Sequence, residues 1–313
     1  MQIGVSVGCF INKSRIIMTI LLYNLRFYSI YSIYDVQRIG EEFETDVHFT
    51  ADISELNTAD VVVFNLHQLS FYLNEEIVKQ PGQIWVVWNI ESEKNYPWIL
   101  SKEIRSLIDI WMDYHPDSDI PIPYLNDTFI EQIRTAIPAP QPEKNVCMFV
   151  SSPVNNSRRV EYIAELMKHI HIDSYGKLFR NMTLSHDDGY KSKQKTISEY
   201  KFTMAFENAI DDDYVTEKFF DPLLVGSIPI YLGAPNIDRF SPGKNAFIDV
   251  RNYPNPKELA DDLSHFCQDT YQLNSFYEWK KQPLNNTFVE IAELNRTNPF
   301  ERLVAKIEES ILS

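Results

Sequence analysis

The stretch YKFTMAFENAIDDDYVTEKFFDPLLVGSIPIYLG, from Tyr200 to Gly233, contains the pattern that decides the fold. Its first apolar run predicts a strand over 201–206, and its last predicts a second strand over 228–232. Between them, apolar residues at helical spacing predict a helix over 216–225 that ends at Gly226. A strand, a helix and a strand in this order predict a βαβ unit of a parallel sheet.

A dense polar cluster lies between the first strand of this unit and its helix, which Asp213 or Thr216 can cap. Because ligands bind at the carboxyl ends of the strands of an open α/β sheet, we expect a binding site at this turn. The N-terminus of a helix attracts anions through its free N–H groups and its partial positive charge. Lys218 adds a full charge there, and the Glu217 carboxylate suits the hydroxyl groups of a ribose. A nucleotide diphosphate fits this combination.

The run Asp211, Asp212 and Asp213 in this turn has two interpretations. It provides carboxylates for a divalent metal ion, or it consists of solvated turn residues. Contiguous side chains point in different directions, so we favour the solvated turn.

Basic residues are concentrated just before the quoted stretch, although the chain as a whole is acidic. They are Lys177, Arg180, Lys191, Lys193, Lys195 and Lys201. For the last four of these we favour a solvated surface. Arg180 follows a predicted strand end, which places it near the same site as Lys218.

The alternation of apolar strands and helical patterns continues through the rest of the chain. Further strands are predicted over 60–65, 84–89, 109–114, 146–152 and 172–175, and helices over 69–79 and 158–169. The proline-rich segment over 135–145 is predicted to be an extended linker. We therefore predict an α/β protein in which residues 1–140 and 141–275 form two domains that face a cleft. Residues 276–313 are predicted to be helices that pack back on the body.

The composition is that of an ordinary globular protein: 313 residues, 44% hydrophobic and 23% charged. A net charge of -15 argues against binding to nucleic acid, which requires a basic surface. Cys9, Cys147 and Cys267 are too few and too scattered for a disulfide framework, which favours a reducing compartment. The apolar run over 16–25 is about half the length that spans a bilayer, and we interpret it as a first strand rather than a signal peptide.

The segment FENAIDDDYVTEKFFDPLLVGSIPIYLGAPNI, over 206–237, closely resembles the donor-binding motif of the α-1,3-fucosyltransferases of glycosyltransferase family 10. Members of that family carry a Phe-Glu-Asn element, then Tyr-Val-Thr-Glu-Lys, then a Gly-x-(Ile/Val)-Pro-(Ile/Val) strand that ends in Gly, in the same order and spacing. WNIESEKNYPW, MDYHPDSDIPIPY and DSYGKLFRN are similar to further segments of the family. Glu93 stands where the family often has a proline, and the first dozen residues match nothing in it.

This resemblance implies a GT-B fold, in which two Rossmann-like domains face a central cleft. It also implies an inverting transfer of L-fucose from GDP-β-L-fucose to a glycan hydroxyl, such as O3 of GlcNAc or Glc in a Lewis antigen or a lipopolysaccharide. Residues 1–140 would bind the acceptor and residues 141–275 the donor. No obligatory cofactor and no metal ion is implied.

The resemblance also implies roles for individual residues. Glu91 would be the general base, with Glu93 as its competitor, and a positioned base typically contributes about 10²- to 10⁴-fold in rate. Arg180 and Lys218 would hold the diphosphate, and Glu217 would act beside them. The further donor-binding residues would be Glu207, Asn208, Tyr214, Val215 and Thr216. Trp88, Tyr96 and Trp98 are candidates for acceptor binding, with core packing as the alternative, and the aromatic-rich segment over 64–72 is a further candidate.

Some family features have no counterpart in this sequence. Animal members have a Cys-x-x-Cys near the C-terminus and an N-terminal membrane anchor, and their absence favours a bacterial-type cytoplasmic enzyme. The heptad repeat and basic amphipathic tail of some bacterial members are also missing, which leaves peripheral membrane contact open.

Two other functions compete with fucosyl transfer. One is a GT-B enzyme that uses another GDP-sugar, and the other is a non-catalytic protein that binds a sugar nucleotide or a glycan. The presence of Glu91, Arg180, Glu217 and Lys218 together argues against the non-catalytic protein.

Overall fold

The computed structural model describes residues 18–23, 47–66, 69, 77–125, 128–135 and 144–312. The chain divides into two compact units, Met1–Val87 with Leu107–Asp109 and Trp88–Ser106 with Ile110–Ser313. Cys9, most of the predicted helix over 69–79, most of the aromatic-rich segment over 64–72 and the prolines of the predicted linker lie outside the described residues. The predicted domain boundaries stay a prediction.

Four strands form the sheet of the first unit. They are β1 (Met18–Tyr23), β2 (Val47–Thr50), β3 (Val61–Asn65) and β4 (Ile84–Asn89), the last two residues of β4 belonging to the second unit. Their order is β2-β1-β3-β4, and β1 pairs in parallel with both β2 and β3. Ile20, Leu21 and Leu22 are completely buried, so β1 is covered on both of its faces. The strands predicted within 16–25 and over 60–65 and 84–89 are confirmed.

The second unit contains seven further strands and nine α-helices among the described residues. Its strands are β5 (Ile110–Asp113), β6 (Ile120–Pro121), β7 (Lys144–Met148), β8 (Asp173–Ser174), β9 (Tyr200–Phe206), β10 (Ile228–Leu232) and β11 (Ile248–Asp249). Its described α-helices are α1 (Lys102–Arg105), α2 (Phe129–Thr135), α3 (Arg159–Leu166), α4 (Tyr190–Ile197), α5 (Glu217–Val225), α6 (Pro256–Gln268), α7 (Thr270–Ser275), α8 (Asn286–Glu293) and α9 (Pro299–Leu312).

Five of these strands form a parallel sheet in the order β11-β10-β9-β7-β8, and β5 pairs in parallel with β6. Helices cover the five-stranded sheet on both faces. Phe202, Met204 and Phe206 of β9 pack with α3, α6 and α7, whereas Ala205 packs with α2, α5 and α8. This two-sided packing confirms the α/β class. The strand predicted over 146–152 starts and ends earlier, because the pairing of β7 with β8 stops at Met148.

The register of β9 and β10 sets two residues side by side at the carboxyl edge of this sheet. Phe206 pairs with Leu232, so Glu207 and Gly233 follow at the same level. The Glu207 N–H donates to Leu232 O at 2.7 Å. Gly233 permits this approach, because a Cβ there would lie 2.7 Å from Glu207 Cγ and 2.3 Å from Tyr231 Oη.

The predicted βαβ unit around helix α5 is confirmed. Thr216 caps the helix, its Oγ1 accepting a hydrogen bond from the Lys218 N–H, and Gly226 ends it in the left-handed conformation. Asp213, the other candidate cap, instead has a φ of 61° in the preceding turn.

Helix α9 turns an apolar face toward the protein. Phe300, Leu303, Val304 and Ile307 are buried, and the Phe300 ring stacks on Trp88 at 5.4 Å. Of the helices within the described ranges, none has the length and apolar character that crossing a bilayer requires.

Candidate active site

Glu207, the residue that follows β9, anchors the turn from inside. Its Oε1 accepts hydrogen bonds from Thr216 N at 2.8 Å and from Thr216 Oγ1 at 2.9 Å, and Lys218 Nζ lies 3.3 Å from its Oε2. Burial raises the pKa of Glu207, and Lys218 partly opposes this rise. Glu207, Val215 and Thr216 are at most 2% exposed. These three residues are therefore buried in the turn, and their role in donor binding stays a prediction.

Lys218 is the cation at the start of α5. Its Nζ lies 3.3 Å from Glu207 Oε2 and 3.3 Å from Glu217 Oε1, and it donates to Thr216 Oγ1 at 2.9 Å. Burial lowers the pKa of Lys218, but the two carboxylates raise it by more, so the pKa lies above its ordinary value. Lys218 is therefore an ammonium ion at neutral pH, with 23% of its side chain exposed.

Glu217 is the exposed acid of this group, with 41% of its side chain accessible to solvent. Its burial acts to raise the pKa, but Lys218 and Lys193 outweigh that effect, and the pKa of Glu217 is lowered. Glu217 is therefore ionised at neutral pH. An exposed carboxylate of this kind can accept hydrogen bonds from the hydroxyl groups of a ligand.

Glu91 lies two residues beyond the end of β4, and its position is fixed from several directions. The Glu91 N–H donates to Asn89 Oδ1 at 2.9 Å. Its Oε2 accepts from Tyr214 Oη at 3.0 Å and from Asn208 Nδ2 at 3.4 Å. Burial raises the pKa of Tyr214 well above its ordinary 10.0, so the Tyr214 hydroxyl keeps the proton that it donates. Among the described residues, Oε1 of Glu91 has no hydrogen-bond partner.

A chain of amide side chains holds Asn208 in turn. Asn95 Nδ2 donates to Asn208 Oδ1 at 3.0 Å, and Asn156 Nδ2 donates to Asn95 Oδ1 at 2.7 Å. Sequence reasoning missed Asn95 and Asn156. The only signal available was the position of Asn95 inside the WNIESEKNYPW segment.

The three turn aspartates have different surroundings. Asp211 Oδ2 accepts from Ser92 Oγ at 2.8 Å and from Tyr114 Oη at 3.3 Å, whereas Asp212 is exposed. The interpretation of the run as solvated acids is therefore correct for Asp212 and wrong for Asp211.

Asp213 is also anchored rather than solvated. Its carboxylate contacts His115 Nδ1 at 3.3 Å, and it accepts hydrogen bonds from Asn236 Nδ2 and Arg239 Nη1, both at 2.9 Å. Burial acts to raise the pKa of Asp213, but these partners outweigh it and lower the pKa. In the part of the chain that the structure describes, no three His, Cys, Asp or Glu side chains are grouped to hold a metal ion.

A cavity of about 470 Å³ lies beside this turn. Glu93 lines it and forms an ion pair with Arg105 at 3.3 Å, so the competitor of Glu91 already has a cationic partner. Asp113 also lines the cavity, and burial raises its pKa to about 6, with His115 partly opposing the rise. The pKa of His115 is raised as well, since burial lowers it but Asp213 and Asp113 raise it by more.

The predicted basic region divides into exposed and anchored side chains. Arg180 is exposed, its Nε donates to Met182 O at 3.4 Å, and no ion pair in the described ranges occupies it. Lys191 and Lys195 are exposed, as the solvated interpretation requires. That interpretation is wrong for Lys193, whose Nζ lies 2.8 Å from the buried carboxylate of Asp221.

The interpretation as a solvated surface is also wrong for Lys201. Lys201 Nζ donates to Cys267 O at 2.9 Å, which ties the lysine to the end of α6.

The three candidate acceptor-binding aromatics differ in exposure. Trp88 is 4% exposed and stacks on Phe300, which agrees with the core-packing alternative. Tyr96 and Trp98 are partly exposed. Burial and the charge of Glu91 raise the pKa of Tyr96.

Two family models match the chain. "Glycosyltransferase family 10 (fucosyltransferase) C-term" matches residues 139–310, and "Fucosyltransferase, N-terminal" matches residues 17–125. Among curated proteins, the human and bovine 4-galactosyl-N-acetylglucosaminide 3-alpha-L-fucosyltransferase 9 are each 32% identical over 243 residues, which is 75% of this chain and 64% of theirs. The chain thus matches just under two thirds of the length of these relatives.

Solved structures show the same fold. A crystal structure of an alpha1,3-fucosyltransferase with GDP matches with a TM-score of 0.60 at 16% identity, covering 96% of this chain and 94% of the other. A second, with GDP-fucose, matches with a TM-score of 0.55 at 15% identity and covers 94% of both chains. The predicted GT-B fold is confirmed by these matches. Together with the family models, they lead to one conclusion: the chain belongs to glycosyltransferase family 10, the fucosyltransferases.

Proposed function

We propose that this protein is an inverting α-1,3-fucosyltransferase that transfers L-fucose from GDP-β-L-fucose to a glycan. The acceptor hydroxyl is O3 of GlcNAc or Glc, in a glycan of the Lewis-antigen or lipopolysaccharide type. The observation that carries the proposal is the Glu91 carboxylate. One of its oxygens is held by Tyr214 and Asn208, and the other has no partner among the described residues.

In this reaction Glu91 is the general base. Its Oε1 takes the proton of the acceptor hydroxyl while the acceptor oxygen forms a bond to C1 of fucose. The bond between C1 and the phosphate oxygen breaks, and GDP leaves with that electron pair. Because the base and the leaving group act on opposite faces of the sugar, the configuration at C1 inverts. The hydrogen bonds from Tyr214 and Asn208 keep the carboxylate oriented without consuming Oε1.

Lys218 and Arg180 bind the diphosphate and stabilise the negative charge that develops on the departing GDP. Lys218 is already an ammonium ion in a fixed position, and Arg180 has an exposed guanidinium group. Glu217 accepts hydrogen bonds from the ribose hydroxyl groups. With two side-chain cations in these roles, the reaction needs no metal ion.

Tyr96 and Trp98 contact the acceptor, since aromatic faces stack on sugar rings and both side chains are partly exposed. The linkage to O3 is supported by the name of the curated relatives alone.

The test is transfer from GDP-fucose to N-acetyllactosamine, lacto-N-biose, lactose or chitobiose, with GDP release and the product linkage measured. GDP-mannose in the same panel tests the alternative donor, and EDTA tests the absence of a metal requirement. Binding of GDP without transfer from either donor to any acceptor would favour the non-catalytic alternative. Loss of transfer in EDTA, restored by a divalent cation, would contradict the metal-free reaction.

Two substitutions test the assigned roles. Glu91→Gln should lower kcat by about 10²-fold or more, with the Kd of GDP within about twofold of the parent. Glu93→Gln is the matched control, because Glu93 is paired with Arg105, and it should retain transfer. Lys218→Ala should instead weaken GDP binding. The base assignment is wrong if Glu93→Gln loses transfer and Glu91→Gln keeps it.

A further inference from the structure

Helix α5 carries a second acidic residue, Asp221, on the face that it buries. Asp221 is 2% exposed, and it lies one helical turn beyond Glu217. A buried carboxylate requires partners, since burial without them is costly. Both partners come from helix α4: Lys193 Nζ lies 2.8 Å from Asp221 Oδ2, and Tyr190 Oη donates to Oδ1 at 2.9 Å.

This ion pair joins α4 to the helix that carries Lys218. The Lys193 side chain is 22% exposed and that of Asp221 is 3% exposed, so solvent screens the pair weakly. Lys193 and Lys218 line one small cavity together with Thr203 and Met204. The two lysines, one on α4 and one on α5, therefore border the same enclosed space.

The charge of Lys193 also reaches the start of α5. It lowers the pKa of Glu217, second only to Lys218 among the neighbouring groups that do so. It opposes the rise that burial causes in the pKa of Asp221. Without Lys193, Asp221 would lose the cation that its buried charge faces, one helical turn from the Glu217 carboxylate.

We propose that Lys193 is a positioning residue for the donor site, acting through Asp221 on the first turn of α5. Neutralising Asp221 keeps α5 in place, so that Lys218 stays between Glu207 and Glu217 and remains directed toward the diphosphate. This inference rests on the proposed function, because it takes GDP to be the anion that Lys218 binds. In this role α4 affects donor binding without contacting the donor.

The expected effect is on affinity rather than on the amount of active protein. Lys193→Met should raise the Kd of GDP and the KM of GDP-fucose by about tenfold and change kcat by less than about threefold. Damage to the fold alone would lower the apparent kcat and leave both constants unchanged. Lys195→Met is the matched control, because Lys195 is an exposed lysine on the same helix, and its constants should equal those of the parent.

A double variant separates action through Asp221 from direct contact with the donor. Lys193→Met/Asp221→Leu replaces the ion pair by two apolar side chains, an exchange that buried pairs tolerate. It should return the Kd of GDP to within about threefold of the parent, and it carries the test by itself if Lys193→Met does not fold. A double variant that binds GDP tenfold more weakly than the parent would overturn the inference, since Lys193 would then act on the donor itself.

Calorimetric titration with GDP keeps this inference separate from the proposed function. A parent protein that binds no GDP contradicts the proposed function. A parent that binds GDP, together with a Lys193→Met variant that binds it equally well, contradicts this inference alone.

Discussion

The hydrogen bond between Tyr214 and Glu91 can be removed with little other change. Tyr214→Phe deletes the hydroxyl group that lies 3.0 Å from Glu91 Oε2. The ring stays packed, because it is 1% exposed and meets the Tyr114 ring edge-on at 5.2 Å. Among the described residues, the Glu91 carboxylate then retains only the longer hydrogen bond from Asn208, at 3.4 Å. The variant therefore tests whether orientation of the carboxylate matters for transfer.

The expected loss of rate follows from the charge and the exposure of the Glu91 carboxylate, which accepts this hydrogen bond. A hydrogen bond to a charged group contributes about 1.5–3 kcal/mol, which corresponds to roughly 10- to 150-fold in rate. Because Glu91 is partly exposed, water replaces part of the lost bond. We therefore expect kcat to fall by about tenfold, at the lower end of this range. The KM of GDP-fucose should change by less than about twofold.

Steady-state kinetics with GDP-fucose and whichever acceptor of the panel is used by the parent measure both constants. Tyr200→Phe is the matched control, because it removes the hydroxyl of another buried tyrosine that donates to Asp173. A Tyr214→Phe variant with the kcat of the parent refutes the reasoning. A raised KM of GDP-fucose with unchanged kcat would instead return Tyr214 to the donor-binding role expected from the sequence.

Two further substitutions have defined expectations. Gly233→Ala places a Cβ 2.7 Å from Glu207 Cγ, so it should displace Glu207, which anchors the start of α5. The free energy of unfolding should fall by about 1–3 kcal/mol, and GDP should bind more weakly. Unchanged denaturant unfolding and an unchanged GDP titration would contradict this. Folding raises the pKa of Asp113 from 3.8 to about 6, so its stabilising contribution is present at low pH and is lost as the pH rises through about 6. His115, whose pKa is also raised, acts in the same direction. The unfolding temperature should therefore fall from about pH 4 to about pH 7. Asp113→Asn should stabilise the protein at pH 8 by roughly 3 kcal/mol and flatten the profile over that range; an equal slope in this variant would exclude Asp113 as the cause.

The fold could be predicted from local patterns because its strands and helices are regular. Continuous apolar runs marked β3, β4 and β10, and the cap and the glycine marked the two ends of α5. The site could be predicted only in part. Glu91 and Tyr214 are 123 residues apart, and no local pattern brings them together.

The errors have a common physical cause. Whether a charged side chain is solvated depends on what the rest of the chain places opposite it. Asp211 has Ser92 and Tyr114 opposite it, and Lys193 has Asp221. Asp221 did carry a signal, because a charged residue on the apolar face of a predicted helix requires a buried partner.

Two residues of the segment over 92–98 are hydrogen-bonded to the turn that follows β9. Ser92 donates to Asp211, and Asn95 donates to Asn208, which in turn contacts Glu91. A mutation of Asn95 therefore disturbs the base together with any change in acceptor preference, and a mutation of Ser92 disturbs the turn at Asp211. Tyr96 and Trp98 are partly exposed, so we expect the substrate range to diverge most readily at these two positions during evolution. A combinatorial library that randomises these two aromatics and keeps Ser92 and Asn95 would explore new acceptors at the smallest cost in turnover.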